Sequence, residues 1–401
     1  MGVLSGIKVI AFTHFAAGPL VAQFLGSLGA DVIKVEAPGQ DLNRTLVRDL
    51  DSPFGEASPY FTTLNRNQRG IVLNLKSDGG RKAALRLIGQ ADVLVENFKP
   101  GALERLGFGY PEMAKLNPRL IYCSISGYDP TGPNKNERGQ DILIQALSGM
   151  IALNGREGAP PVPTGTYVAD AYTSQMNVIA VLCALRHRDA TGDGQWVHAD
   201  MMGSALHMMA QEASYILNVG YQPPRSTAGV GHTDHKAPYG AYQAADGEFV
   251  LSVTGPEQVG ALADLLGVRR EVEAFLNERG LKVHRDEVAA ALAGAFVVLP
   301  VAEALDLAAK AGVWAAPIRS LAEALEDPIV AAGDLVQEAD SAYCGQHRYV
   351  REPVNMHASP IEATRPAPAH GEHTREVLGE VGFDAAEIAE LLNTQAAMAM
   401  K

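Results

Sequence analysis

The sequence predicts an α/β protein: a doubly wound, mostly parallel, Rossmann-like sheet forming a large domain, with a smaller α/β domain inserted into it. Three observations carry this. The first half alternates short apolar runs with helix-like runs, which is the rhythm of β-α-β units. Most of the strand-like runs are largely apolar, as expected when helices cover both faces of a sheet. The texture then changes near Tyr221–Pro238, which is rich in Pro, Gly, Thr and His, and marks a boundary.

Taken in order, Gly6–Phe12 reads as a buried strand, and the loop His14–Pro19 leads into an apolar helix near Leu20–Leu28. Asp31–Glu36 and Ile71–Leu75 read as the second and third strands, followed by a helix near Gly79–Ile88. Val93–Asn97 and Leu120–Ser126 are two more strands. Ala171–His187 is a long helix ending at the polar turn Asp189–Gly194, after which Val197–Met201 is a strand and Gly203–Leu217 a helix. Tyr239–Val253, with Asp246-Gly247 at its centre, reads as a β-hairpin because Asp-Gly suits a tight two-residue turn. Helical segments follow to about Lys310. The expected domains are 1–225 (large), 226–325 (small) and a segment 326–401 returning to the large domain, with an amphipathic helix near Thr374–Leu392.

The 401 residues carry a formal net charge of -13, which argues against broad binding to nucleic acid or anionic membrane, since both require excess Lys and Arg. A local basic pocket for phosphates remains compatible with it. Cys123, Cys183 and Cys344 are widely spaced, with neither a disulfide framework nor zinc spacing; Cys123 and Cys183 lie in apolar stretches and are expected in the core. The start MGVLSGIKVIAF lacks the features of a signal peptide. No uninterrupted apolar run reaches the roughly 18 residues of a membrane span. A cytoplasmic location is the expectation from these features.

Strands of such a sheet present ligand-binding loops at their carboxyl ends. After the first strand the chain reads His14-Phe15-Ala16-Ala17-Gly18-Pro19, with no G-x-G-x-x-G, and no G-x-x-x-x-G-K-[ST] occurs anywhere, so neither usual nucleotide fingerprint is present. His232-Thr233-Asp234-His235 places two histidines three residues apart beside an aspartate; no further ligand accompanies them, and no metal is expected.

Several longer runs are informative in combination: LGADVIKVEAP (Leu28–Pro38), LNRNQRGIVLNL (Leu64–Leu75), ADVLVENFKPGALERLGFG (Ala91–Gly109), NPRLIYCSISGYDPTGP (Asn117–Pro133), DILIQALSG (Asp141–Gly149) and ALRHRDATGDGQWVHADM (Ala184–Met201). Through them the chain resembles the class III CoA-transferases, the family of formyl-CoA and carnitine CoA-transferases, with α-methylacyl-CoA racemases as relatives. The resemblance runs through almost the whole length. It implies an interlocked homodimer, and an enzyme that takes an acyl-CoA donor and a carboxylic acid acceptor. It implies no permanently bound cofactor, coenzyme A entering as part of the substrate.

The resemblance also assigns roles to positions. Asp170, in Tyr167-Val168-Ala169-Asp170, matches the nucleophile that forms a covalent aspartyl-CoA thioester by way of a mixed anhydride. An aspartate at the start of an apolar helix can have its carboxylate held by free N–H groups and by the helix dipole, which favours the ionised form that a nucleophile needs; the alternative is a plain N-cap. Phe15, Ala16, Ala17, Leu73, Asn97, Phe98, Lys99, Arg105 and Arg138 match CoA-side positions, the cations serving the phosphates. In Arg138-Gly139-Gln140-Asp141 the racemase branch resembles G-H-D. Gln140 has no titratable proton, which favours transfer over racemisation; it can instead donate an amide hydrogen bond near the reacting carbonyl. A catalytically silent CoA-binding homologue is the remaining alternative. Gly229 and Gly231 suggest a mobile loop, without the run of consecutive glycines that formyl-CoA transferases carry there.

Overall fold

The structure is a computed structural model that describes residues 2–39, 41–46, 54, 57–252, 254–341, 343–361 and 365–400. Val253, the last residue of the expected hairpin, lies outside them. The chain divides into two compact units: Met1–Ile144, Tyr167–Met208 and Pro328–Lys401 form the first, Gln145–Thr166 and Met209–Asp327 the second.

The first unit is built on strands β1 (Lys8–Phe12), β2 (Asp31–Glu36), β3 (Gln68–Leu73), β4 (Val93–Glu96), β5 (Ile121–Ser126) and β6 (Trp196–Asp200). They pair in parallel in the order 3-2-1-4-5-6. Strand order reverses between β1 and β4, so the crevice beyond their carboxyl ends is where such a sheet accepts a ligand. Side chains alternate across the pleat. Val9 and Ala11 pack with Val21 and Leu25 of α1 (Ala17–Ser27) on one face, while Ile10 and Phe12 pack with Ala83, Ala84 and Leu87 of α2 (Asp78–Gly89) on the other. The first strand starts two residues later than expected because Gly6 is left-handed, with φ 89°.

Among the helices that position the site, α3 (Asp141–Leu147) precedes the long α4 (Val168–Thr191). By length and composition α4 could cross a membrane; here it covers the sheet, burying Val178, Val181 and Leu185 against it. Those residues form one stripe of a 3.6-residue period, and Cys183 points off it. Cys183 is therefore exposed rather than in the core as expected, whereas Cys123 is fully buried. The helix expected over Gly203–Leu217 is two, α5 (Met201–Met208) and α6 (Ala210–Val219), because Met209 leaves helical geometry at φ -95°, ψ 27°. The two helices fall in different units.

The second unit holds a three-stranded antiparallel sheet of β7 (Gly240–Gln243), β8 (Glu248–Leu251) and β9 (Ala315–Pro317). The first two strands are the expected hairpin. Its inner face packs Tyr242, Phe249 and Leu251 onto α7 (Pro256–Leu266), α8 (Arg285–Phe296) and α9 (Val301–Lys310).

The C-terminal residues complete the first unit. β10 (Val336–Ser341) and β11 (Gly345–Val350) form a separate hairpin, and β12 (Ala397–Met398) pairs antiparallel with β3, closing the edge of the large sheet. The expected terminal helix is divided into α10 (Thr374–Glu380) and α11 (Ala385–Asn393). Gly382 turns left-handed (φ 88°) between them and Asp384 opens α11 with a capping box to Glu387, which satisfies N–H groups at the new helix start.

Candidate active site

The site builds outward from the switch point. The loop after β1 carries His14, Phe15, Ala16 and Ala17, and the turn after β4 carries Asn97, Phe98 and Lys99. The Asn97 carboxamide joins the two: its Oδ1 accepts from His14 N–H at 2.9 Å, and its Nδ2 donates to the His14 carbonyl at 2.8 Å. Phe98 N–H donates to Glu96 Oε2 at 3.0 Å, which shapes that turn. The Phe98 ring lies 5.2 Å from the His14 ring, which in turn sits 4.8 Å from the exposed Phe15. Burial holds the His14 imidazole below its ordinary pKa; the nearby Asp41 raises it and Lys34 lowers it, in smaller measure. Phe15 is left-handed, with φ 57°, a conformation that costs an ordinary residue about 1–2 kcal/mol and persists only where surroundings enforce it.

Beneath the loop, Lys34 is fully buried on β2. Its Nζ donates to the Thr13 carbonyl at 2.7 Å and to Asp41 Oδ2 at 2.9 Å. Asp41 also accepts from Asn43 N–H, and Asn43 Nδ2 donates to the Phe15 carbonyl. A second buried pair, Arg44 with Glu36, lies alongside; the Arg44 guanidinium outweighs burial and holds the Glu36 carboxyl below its usual range. Removing one member of such a buried pair strands the other charge, at about 3–5 kcal/mol.

Asp170 sits in the first turn of α4. It is not the cap: the N–H groups of Ala169 and Asp170 donate to Asp141 Oδ1, at 2.8 and 3.1 Å. The expectation that the helix N–H groups would hold the Asp170 carboxylate ionised is therefore corrected. Burial first, and the Asp141 charge second, push the Asp170 carboxyl from 3.8 up to about 7. That rise is on the order of 4 kcal/mol against the charged form, whereas a helix dipole contributes about 0.3–1 kcal/mol in its favour. Desolvation wins. Ser174 ties this turn to the loop, its Oγ lying 2.7 Å from the Asp170 carbonyl oxygen and 2.9 Å from that of Ala17.

Of the other residues singled out from sequence, Gln140 is exposed immediately before Asp141, and Arg138 is exposed beside it. Lys99 and Arg105 are exposed at the carboxyl edge of the sheet. Leu73 is fully buried in the core and paired with Ala397, so its side chain is not available to a ligand; Lys76, three residues on, is exposed. Sequence reasoning passed over Lys76. It also passed over Tyr60, whose ring meets Tyr167 edge-on at 6.1 Å. Burial, then Tyr167, then the Asp170, Asp41 and Asp141 charges push the Tyr60 hydroxyl up to about 12, so it stays a donor at neutral pH. Lys34 carried a readable signal: a lone cation inside the apolar run Asp31–Glu36 needs a buried partner.

In the second unit the His232 ring is committed on both nitrogens, Nε2 to Glu212 at 2.6 Å and Nδ1 to the Asp234 N–H, while Asp234 pairs with Lys282. The Gly229–Gly231 segment, expected to be mobile, is tied down: Gly231 N–H donates to the Tyr239 carbonyl at 2.9 Å, and Val230 N–H to Ser226 Oγ at 3.0 Å.

The switch-point loop and the half-buried Asp170, its turn tied to that loop through Ser174, make up the candidate active site. The model of CoA-transferase family III matches residues 4–374, and the chain belongs to that family and is a CoA-transferase. It is 36% identical to an acyl-CoA transferase of Fusarium pseudograminearum over 97% of this chain and 87% of the relative. It is 32% identical to the succinyl-CoA:mesaconate CoA-transferase of Haloarcula marismortui (96% and 98%), and 32% identical to the formyl-CoA:oxalate CoA-transferase of Streptomyces coelicolor (96% and 97%). Among solved structures it is similar to a CAIB/BAIF family protein from Brucella suis, with a TM-score of 0.83 and 32% identity over 95% of this chain and 99% of that one.

Proposed function

We propose that the protein moves coenzyme A from an acyl-CoA donor to a carboxylic acid, with Asp170 as covalent nucleophile. An Asp170 carboxylate oxygen attacks the thioester carbonyl and expels CoA thiolate, giving an acyl-aspartyl anhydride. The thiolate attacks the aspartyl carbonyl, releases the donor acid and leaves an aspartyl-CoA thioester. The acceptor carboxylate attacks that thioester, forming a new anhydride, and the returning thiolate takes the acceptor acyl group and frees Asp170. Each step passes through an oxyanion that positioned donors stabilise; the Tyr60 hydroxyl and the Gln140 amide are suited to that role.

The observation that carries this reading is the placement of Asp170. Its carboxyl titrates at about 7, ionised for a large fraction at neutral pH yet poorly solvated, which suits a carboxylate nucleophile. Its turn is tied through Ser174 to the loop at the switch point. Lys76, Lys99, Arg105 and Arg138 supply cations for the CoA phosphates despite the acidic total. The names of relatives that pair an acyl-CoA with a carboxylate agree with the donor and acceptor classes.

A homodimer belongs to the same reading. Helix α6 buries no residue within the chain, and Leu217 and Val219 on it are 81% and 67% exposed. A ten-residue helix with no fully buried residue is marginal alone, and a second copy would cover its exposed apolar side chains. Light scattering after gel filtration tests this; a monomer at micromolar concentration would contradict it.

The test of the chemistry is intact-mass spectrometry after mixing the protein with acyl-CoA. The expected result is a CoA adduct on Asp170, removed by hydroxylamine and absent in Asp170→Ala, which still binds CoA. Full turnover by Asp170→Ala would end the proposal. Deuterium uptake at the substrate α carbon without an adduct would indicate racemisation instead.

A further inference from the structure

Five successive carbonyl oxygens of the switch-point loop each meet a donor from the protein. Thr13 O meets Lys34 Nζ at 2.7 Å, His14 O meets Asn97 Nδ2 at 2.8 Å, and Phe15 O meets Asn43 Nδ2. Ala16 O accepts from Leu20 N–H at 3.0 Å and Ala17 O lies 2.9 Å from Ser174 Oγ. The loop thus turns its acceptors inward while holding Phe15 left-handed. Asn97 is the one of these donors that reaches across from β4, and it engages both main-chain polar groups of His14 through opposite ends of its carboxamide. Gly18 leaves it room: a Cβ there would lie 2.6 Å from both Cγ and Oδ1 of Asn97.

We propose that the Asn97 side chain is a positioning group that locks the His14–Ala17 loop before acyl-CoA arrives, acting through the His14 main chain rather than by touching CoA. A side chain whose two ends both bind the main chain of one residue is spent on that residue, and the glycine opposite it serves the same contact. The functional importance of the loop rests on the reading above, that it lines the CoA channel.

The experiment is peptide-level hydrogen exchange on ligand-free protein, with CoA affinity measured by calorimetry on the same samples. Asn97→Ala is expected to speed exchange of the His14 amide about tenfold or more and to weaken CoA binding about tenfold. Asn97→Asp keeps the oxygen that accepts from His14 N–H but sets a carboxylate oxygen against the His14 carbonyl oxygen, so its exchange should fall between the parent and Asn97→Ala. Gly18→Ala displaces the carboxamide and should mimic Asn97→Ala, with the double variant no worse than either alone. It also serves as the readout if Asn97→Ala does not fold. For acyl-CoA, KM rises while KM for the acceptor acid is unchanged.

Weakened CoA binding with unchanged exchange would make Asn97 a direct contact and overturn the proposal, as would unchanged exchange with unchanged binding. A loosened loop that binds CoA normally would overturn its role in positioning. Exchange is read without any ligand, so these outcomes stand apart from the covalent mechanism, which is tested by the Asp170–CoA adduct in the parent and by turnover of Asp170→Ala.

Discussion

Asp141 caps the helix that carries Asp170: its Oδ1 accepts the main-chain N–H of Asp170 at 3.1 Å, while its charge helps push the Asp170 carboxyl up to about 7. One residue thereby fixes the backbone of Asp170 and adds to the proton affinity that burial chiefly raises.

Replacing Asp141 by Asn keeps an acceptor oxygen for the helix and removes the charge. In the parent, kcat/KM for acyl-CoA is expected to rise with pH as Asp170 ionises, with a midpoint near 7. In Asp141→Asn the midpoint should fall by about half to one pH unit, burial being the larger cause of the elevation and remaining in place. An unmoved acidic limb in the pH–rate profile would count against the coupling.

Arg105 is exposed at the carboxyl edge of the sheet, where it can meet phosphate. Arg105→Ala should raise KM for acyl-CoA about five- to twentyfold with kcat within about twofold. The same variant assayed with an acyl-pantetheine, which lacks the phosphates, should match the parent; an equal loss on both substrates would place Arg105 elsewhere in the chemistry.

Tyr60 keeps its proton at neutral pH and lies within the field of the Asp170 charge. Tyr60→Phe removes a donor while preserving the ring contact with Tyr167. If it stabilises the oxyanion, kcat should drop about ten- to a hundredfold with little change in the melting temperature. Rapid-quench measurement of adduct formation checks this, and an unchanged rate would remove Tyr60 from the mechanism.

Glu96 is a buried carboxyl whose burial pushes it from 4.5 up to about 7, against hydrogen bonds from Phe98 N–H and Ser124 that lower it. Its folded-state value lies above its unfolded one, so its favourable contribution is complete below about pH 4.5 and is lost as pH rises through 7. Glu96→Gln should therefore flatten the pH dependence of unfolding in that window and stabilise the protein by about 1–3 kcal/mol at pH 8. Urea unfolding at pH 5 and pH 8 measures it; equal destabilisation at both values would refute the sign.

The large sheet was legible because β1, β2, β4 and β5 are short, largely apolar runs separated by helix-like runs, and that pattern survives any uncertainty about their ends. The two-residue β12 and three-residue β9 were not, since neither is long enough to show alternation; pairing with β3 and β8 makes them strands. The capping box Asp384–Glu387 was visible in the sequence and would have divided the terminal helix. At the site, family motifs led to Asp170 and Asn97, but what each side chain does follows from contacts between residues far apart in sequence. Asp141 lies 29 positions from Asp170, and Asn97 lies 83 from His14. Leu73 shows the converse: a motif position whose side chain turns into the core.

The large sheet draws one edge strand from residues 397–398, after the whole of the second unit has been translated. On the ribosome, the insert can collapse on its own contacts while the earlier strands still wait for their last neighbour. The edge of β3 is therefore open to foreign strands until residues 397–398 have been made, and a nascent chain stalled before them would be the species most prone to aggregate.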